Sequence, residues 1–135
     1  MPEKKLLHVV RSSLDETVDE QWSLTLTAFQ KLADEGDATL TPRDVCHRFS
    51  TPSKRTLFKV LDAVIEQVED VSAVSLHGES SPEGFTYVIK VWKLCVPRMA
   101  ITRDVIRQQV IFAKGLHATY AGWATSIVPA GGKVS

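Results

Sequence analysis

Four histidines and two cysteines are the residues of this sequence best suited to ligate a metal, attack an electrophile or carry a proton near neutral pH. They are His8, His47, His77, His117, Cys46 and Cys95. Their spacing argues against all three chemistries. There is no Cys-x-x-Cys pair, and no second pair of ligands stands at the spacing of a zinc site. Cys46 and His47 are adjacent in a strand-like run, where neighbouring side chains point to opposite faces, so they do not form a nucleophile–base pair. His47 is expected to face the core between Val45 and Phe49 as a buried histidine with its hydrogen bonds satisfied. His77 is expected in a hairpin, and His117 near a helix end, where a cation suits the helix dipole. Cys46 and Cys95 are expected on neighbouring strands and in the reduced state. Ala130-Gly131-Gly132-Lys133 lacks the strand-and-helix setting of a phosphate loop. No paired carboxylates and no Ser/His/Asp arrangement occur. The residues therefore predict no catalytic group, no metal site and no cofactor, and a protein that is not an enzyme.

One run could do recognition chemistry instead. Glu83-Gly84-Phe85-Thr86-Tyr87-Val88-Ile89-Lys90 partly matches the aromatic strand of RNA-recognition domains. In that alternative, Phe85 and Tyr87 stack bases on an open sheet, making the protein an RNA-binding module. Glu83 replaces the leading basic residue, however, and Lys90 the last aromatic, so direct nucleic-acid binding is disfavoured. The plainer arrangement turns Phe85, Tyr87, Ile89 and Val91 toward the helices as core. It leaves Cys46, Arg48, Val88, Lys90 and Trp92 on the opposite face, a mixed apolar and basic surface for a protein partner or a second subunit.

The elements that must position these residues are legible from pattern. Ser13-Leu14-Asp15-Glu16 fits a capping box. Val18, Trp22, Leu26, Phe29 and Ala33 follow at helical spacing, and Gly36 offers a left-handed stop, predicting a helix from about Leu14 to Glu35. Arg43–Phe49 alternates as a strand. Thr51-Pro52 opens a second helix with Thr51 as its N-cap, and Leu57, Val60, Leu61, Val64 and Val68 form its buried stripe. Val71–Leu76 is a short strand, Gly78–Gly84 a wide hairpin loop, and Phe85–Leu94 a central strand that Pro97 stops. Thr102 caps the last helix, with Asp104 in its first turn and Val105, Phe112, Ala113 and Leu116 on its buried side. Tyr120-Ala121-Gly122-Trp123 is expected to turn that helix into a final strand, Trp123–Val128. There Gly122 supplies the special backbone angle, Tyr120 keeps its hydroxyl at the surface, and Trp123 folds onto a helix or a sheet edge.

The order is a helix followed by β-α-β-β-α-β. It predicts an α+β, ferredoxin-like, four-stranded antiparallel sheet with two helices on one face and an additional N-terminal helix that covers a sheet edge or the open face. The expected organisation is a single domain over 13–128, an N-terminal segment at 1–12 open to disorder, and a disordered tail at 129–135. A chain of 135 residues fits one domain, and its 44% hydrophobic and 24% charged residues are ordinary for a globular protein. Net charge is zero, so no overall field draws the chain to nucleic acid or to an anionic membrane. No run is long enough to span a membrane, and no signal segment is evident, so the expected compartment is the cytoplasm.

Three stretches together resemble the regulator of ribonuclease activity B family. They are Val45-Cys46-His47-Arg48-Phe49, with its Val-x-His-x-hydrophobic pattern; the strand Phe85–Val91; and Tyr120-Ala121-Gly122-Trp123-Ala124-Thr125, which is similar to the family's Tyr-Asp-Gly-Trp turn. The resemblance covers roughly Asp15 to Val128. It implies a bacterial, ribonuclease E inhibitor-like regulator of RNA metabolism that binds an endoribonuclease by direct protein–protein contact. Ala121 stands where the family has Asp, and Pro129–Ser135 stands where its best-known member has an acidic tail. The residues expected to meet a partner are Arg48, Lys90, Trp92, Tyr120 and Trp123, with a homodimer through the sheet face as a further arrangement.

Overall fold

The computed structural model describes residues 13–129. Helix α1 spans Ser13–Asp34, strand β1 Arg43–Thr51, helix α2 Lys54–Gln67, strand β2 Val71–Ser81 and strand β3 Gly84–Cys95. A short helix α3, Pro97–Ala100, leads into helix α4, Arg103–Gly115, and strand β4, Thr119–Thr125. The sheet is antiparallel in the order β2-β3-β1-β4, the ferredoxin-like arrangement with an added N-terminal helix.

The element starts and stops have local causes. Thr102 caps α4, its hydroxyl accepting from the Val105 amide at 3.2 Å. The cap of α2 is Ser53, not Thr51; Ser53 accepts from the Thr56 amide at 3.2 Å. Thr51 stays in β1 and accepts from the Ser53 amide at 3.1 Å, so Pro52 belongs to the bend rather than to the first helical turn. Gly36 ends α1 at φ +77°, with its amide bonded to the Ala33 carbonyl and the Asp37 amide to the Leu32 carbonyl. That is the Schellman closure, which needs a left-handed residue. Helix α4 closes in the same way at His117, φ +62°, with bonds from His117 to Lys114 and from Ala118 to Ala113.

The core lies between the sheet and the helices. Val45, Phe49, Ile89 and Val91 meet Leu57, Val60 and Val64 of α2 and Ile106, Val110 and Ala113 of α4. The α4 side was expected at Val105, Phe112, Ala113 and Leu116. Ala113 is buried as expected, but Ile106 and Val110 are the other deeply buried positions, and Phe112 and Leu116 pack at the margin. On α1 the buried line is Val18, Thr25 and Phe29, with Leu26 and Ala33 in solvent. Thr25 is tolerated inside because its hydroxyl bonds the Gln21 carbonyl at 2.8 Å and accepts from Trp123 Nε1 at 3.0 Å.

Helix α1 joins the helix layer, on the β4 side. It packs against α4, and the Phe29 ring lies 5.5 Å from that of Trp123. Its outer seam runs antiparallel to α4 through Asp15–Arg107 at 3.0 Å, Asp19–Arg103, and Ser13 to Lys114 at 3.2 Å. The connector after α1 is tied down by a buried ion pair between Asp37 and Arg43. Asp37 also accepts from the Val128 amide at 2.8 Å, and Pro129 is bridged to Asp37. Residue 129, expected to begin a disordered tail, is therefore held in place; the expectations for 1–12 and 130–135 lie outside the described residues.

Candidate functional site

Strand register assigns every sheet residue to one of two faces. Pairing of Cys46 with Trp92, Arg48 with Lys90 and Ser50 with Val88 puts these six on the face away from the helices. Ala73, Ser75, His77 and Glu79 of β2 join them opposite Trp92, Lys90, Val88 and Thr86, and Ala124 of β4 joins opposite Cys46. Among the described residues no helix covers this face. Arg48, Lys90 and Trp92, three of the five expected contact residues, are brought together here, half-exposed.

The polar part of the face is a small network. Glu79 Oε2 lies 2.8 Å from His77 Nε2 and 3.5 Å from Arg48 Nη2. The hydrogen bond with His77 holds the Glu79 carboxyl below its ordinary pKa, with the Arg48 and Lys90 charges adding to the effect. Arg48 Nε is buried with no partner among the described residues. A depression of about 270 Å³ opens beside it, lined by Ser50, Glu79, Ser81, Thr86, Val88 and Ala121. The apolar part is Trp92, half-exposed, while Val88 and Cys46 on the same face are buried. Burial pushes the Cys46 thiol pKa up against the pull of Lys90 and Arg48, so it is a weak nucleophile.

Sequence reasoning missed His77 and Glu79 as members of this face, because Gly78–Gly84 was expected to be loop. Instead β2 runs to Ser81 and pairs with β3 down to a tight turn at Pro82-Glu83, with Gly84 at φ +127°. The signal was present. Val74, Ser75, Leu76 and His77 alternate with period two, and the alternation continues through Gly78 to Glu79.

The other two expected contact residues lie elsewhere. Tyr120, Ala121, Gly122 and Trp123 are not a helix-to-strand corner; all four are inside β4, and the corner is Leu116–His117. Two residues of β4, Ala121 and Gly122, stand opposite the single Arg48 of β1, which is a β-bulge. Gly122, at φ +94°, supplies the angle the bulge demands. The bulge returns Tyr120 and Trp123 both to the helix side. Tyr120 is 2% exposed rather than at the surface, with its hydroxyl 2.9 Å from His47 Nδ1. Trp123 folds onto α1 as expected, against Phe29 and Thr25.

His47 is buried with that one side-chain partner, as the plainer expectation had it. Desolvation, reinforced by the charge of Lys93, lowers its pKa from 6.5 to about 4, so it is neutral at pH 7. Desolvation raises that of Tyr120 in turn. Cys46 and Cys95 sit on neighbouring strands but pair in register with Trp92 and Arg43, on opposite faces, so they do not approach one another. Phe85 and Tyr87 lie on the helix side, opposite Ser80 and Gly78 and edge-to-face at 5.0 Å, so the stacking platform of the RNA-binding alternative is not assembled on the open face. Among the described residues no three His, Cys, Asp or Glu side chains converge, and no helix is long and apolar enough to cross a membrane. Comparison with family models gives no match, and comparison with curated proteins gives none either.

Proposed function

We propose that this chain is a non-enzymatic regulator that binds a protein partner through the open sheet face, with Trp92 as its apolar anchor and Arg48 and Lys90 as its charged frame. The observation that carries the reading is that no helix among the described residues covers this face: helix α1, which could have roofed it, packs on the other side of the sheet. An aromatic beside an arginine on such a surface is the composition of an interface hot spot. Two cations against one carboxylate select a partner patch that is apolar at its centre and acidic at its rim.

The resemblance to the regulator of ribonuclease activity B family makes a bacterial endoribonuclease the first partner to try, in the cytoplasm. Direct RNA binding has less support, because Phe85 and Tyr87 lie on the helix side and Trp92 is the one Phe, Tyr or Trp on the open face among the described residues.

The test uses the full chain immobilised against purified bacterial endoribonuclease, with cleavage of a model RNA as the second readout. Binding and slowed cleavage are expected. Trp92→Ala with Arg48→Glu should weaken both by about tenfold or more. No binding and unchanged cleavage would sink the ribonuclease assignment, and binding that ignores both substitutions would sink the face.

A further inference from the structure

The two edges of the sheet are treated differently. At one edge, β4 is seven residues long, broken by a bulge and flanked by α1, whose Gln21 side chain reaches the Tyr120 carbonyl at 3.5 Å. These are the devices that keep a sheet from pairing with another chain. At the other edge, β2 is eleven residues long and its outer side has no neighbouring strand or helix among the described residues. Its sequence, VSAVSLHGESS, contains no Lys, Arg or Pro. Its one irregularity falls at its first residues, between Val71 and Ala73.

The helix side of this edge is apolar. Leu76, the middle residue of β2, is 42% exposed, and the Phe85 ring reaches across from β3 to lie over Gly78, where no side chain would fit. In the helix layer α2, which packs on β3 and β1, presents Phe58 and Ile65, 48% and 69% exposed and two helical turns apart on one stripe.

We propose that two copies of this chain pair antiparallel through their β2 edges, about a two-fold axis at Leu76. The two sheets then become one of twice four strands. The axis at the central residue of β2 pairs the strand with itself along its whole length, Val71 facing Ser81 of the second copy. The same axis runs the two α2 helices antiparallel. Helix α2 is charge-segregated: Lys54, Arg55 and Lys59 occupy its first half, Asp62 and Glu66 its second, all exposed. The two-fold therefore brings each basic half toward the acidic half of the other copy, with Phe58 and Ile65 between. A two-fold contact of this kind is self-complementary and closed, so it makes a dimer and not a filament. It leaves Arg48, Lys90 and Trp92 uncovered, in duplicate.

Sedimentation of the full chain at about 100 µM should give twice the monomer mass. Leu76→Lys, at an exposed position, should give the monomer with an unchanged circular dichroism spectrum. Two surface variants of α2 test the axis without touching the sheet. Lys54→Glu/Lys59→Glu and Asp62→Lys/Glu66→Lys should each dimerise less well alone, and mixing them should restore a dimer of the two kinds. A wild-type chain that stays monomeric at that concentration overturns the proposal. So does a dimer indifferent to Leu76→Lys, or charge variants that form no mixed dimer. Trp92→Ala with Arg48→Glu should leave the dimer intact, which separates this test from that of the open face.

Discussion

At the scale of the residue, the pair most open to misreading is His47 with Tyr120. A histidine hydrogen-bonded to a tyrosine suggests proton chemistry, yet both are buried in the core. A neutral buried imidazole does have a consequence for stability. With a folded pKa of about 4 against 6.5 unfolded, the unfolded chain binds the extra proton between those values. Stability is therefore full above pH 6.5 and falls as the pH drops toward 4, by about 3 kcal/mol. Asp37 acts in a lower window. Burial raises its pKa, but the Arg43 hydrogen bond, the Val128 amide and the Arg43 charge outweigh that and hold it below 3.8, so its contribution is lost only in stronger acid. Urea unfolding across pH 4 to 7 should show the slope in the wild type and lose it in His47→Gln; an equal slope in both would remove His47 as its source. That His47 faces the core was legible, since Val45 and Phe49 flank it at period two. Its partner was not, because Tyr120 is 73 residues away.

At the scale of the element, β4 and the end of α4 hold the two most demanding backbone angles in the C-terminal part, and the residue types there are mismatched in an instructive way. Gly122 is where glycine is needed; His117 is a bulkier residue doing a glycine's work in a Schellman closure. Substitution should act with opposite signs. Gly122→Ala should destabilise by about 1–2 kcal/mol, since its Cβ is strained at φ +94° and would stand 3.3 Å from Gln21 Oε1. His117→Gly should stabilise by up to about 1 kcal/mol, the relief of left-handed strain exceeding the added chain entropy. Thermal melts of both variants check the pair, and a loss of stability in His117→Gly would contradict the account. That Gly122 takes a special angle was readable from the sequence. Its place in a bulge was not, because a bulge is a relation between β4 and β1 and leaves no trace in either strand alone.

At the scale of the whole molecule, the Asp37–Arg43 pair joins the connector after α1 and the start of β1 to the distant chain after β4. Arg43 also donates to the carbonyls of Thr41 at 3.0 Å and Ser126 at 3.2 Å, and its other guanidinium nitrogen to that of Ala38. Removing the carboxylate leaves a buried guanidinium with carbonyl partners alone. Asp37→Ala should cost about 3–5 kcal/mol in chemical denaturation and loosen the end of β4 in hydrogen exchange. A loss below about 1 kcal/mol would show the pair to be no more than a surface ion pair in effect. The alternation of Arg43–Phe49 puts Arg43 on the core side with Val45, His47 and Phe49, but its burial and its partner were not legible, since an arginine at the head of a strand ordinarily reaches solvent.

The sequence by itself determined the element types and their order apart from the four-residue α3, hence the ferredoxin-like sheet, because periodicity, caps and stops are local and survive without partners. It also determined which residues of β1 and β3 share a face, since period two admits only two answers. Tertiary structure alone decided the side of the sheet on which α1 packs, the bulge in β4, and the burial of Tyr120. Each depends on contacts between segments far apart in the chain, so no window of residues contains it. Those contacts leave Arg48, Lys90 and Trp92 half-exposed on the face that no helix among the described residues covers.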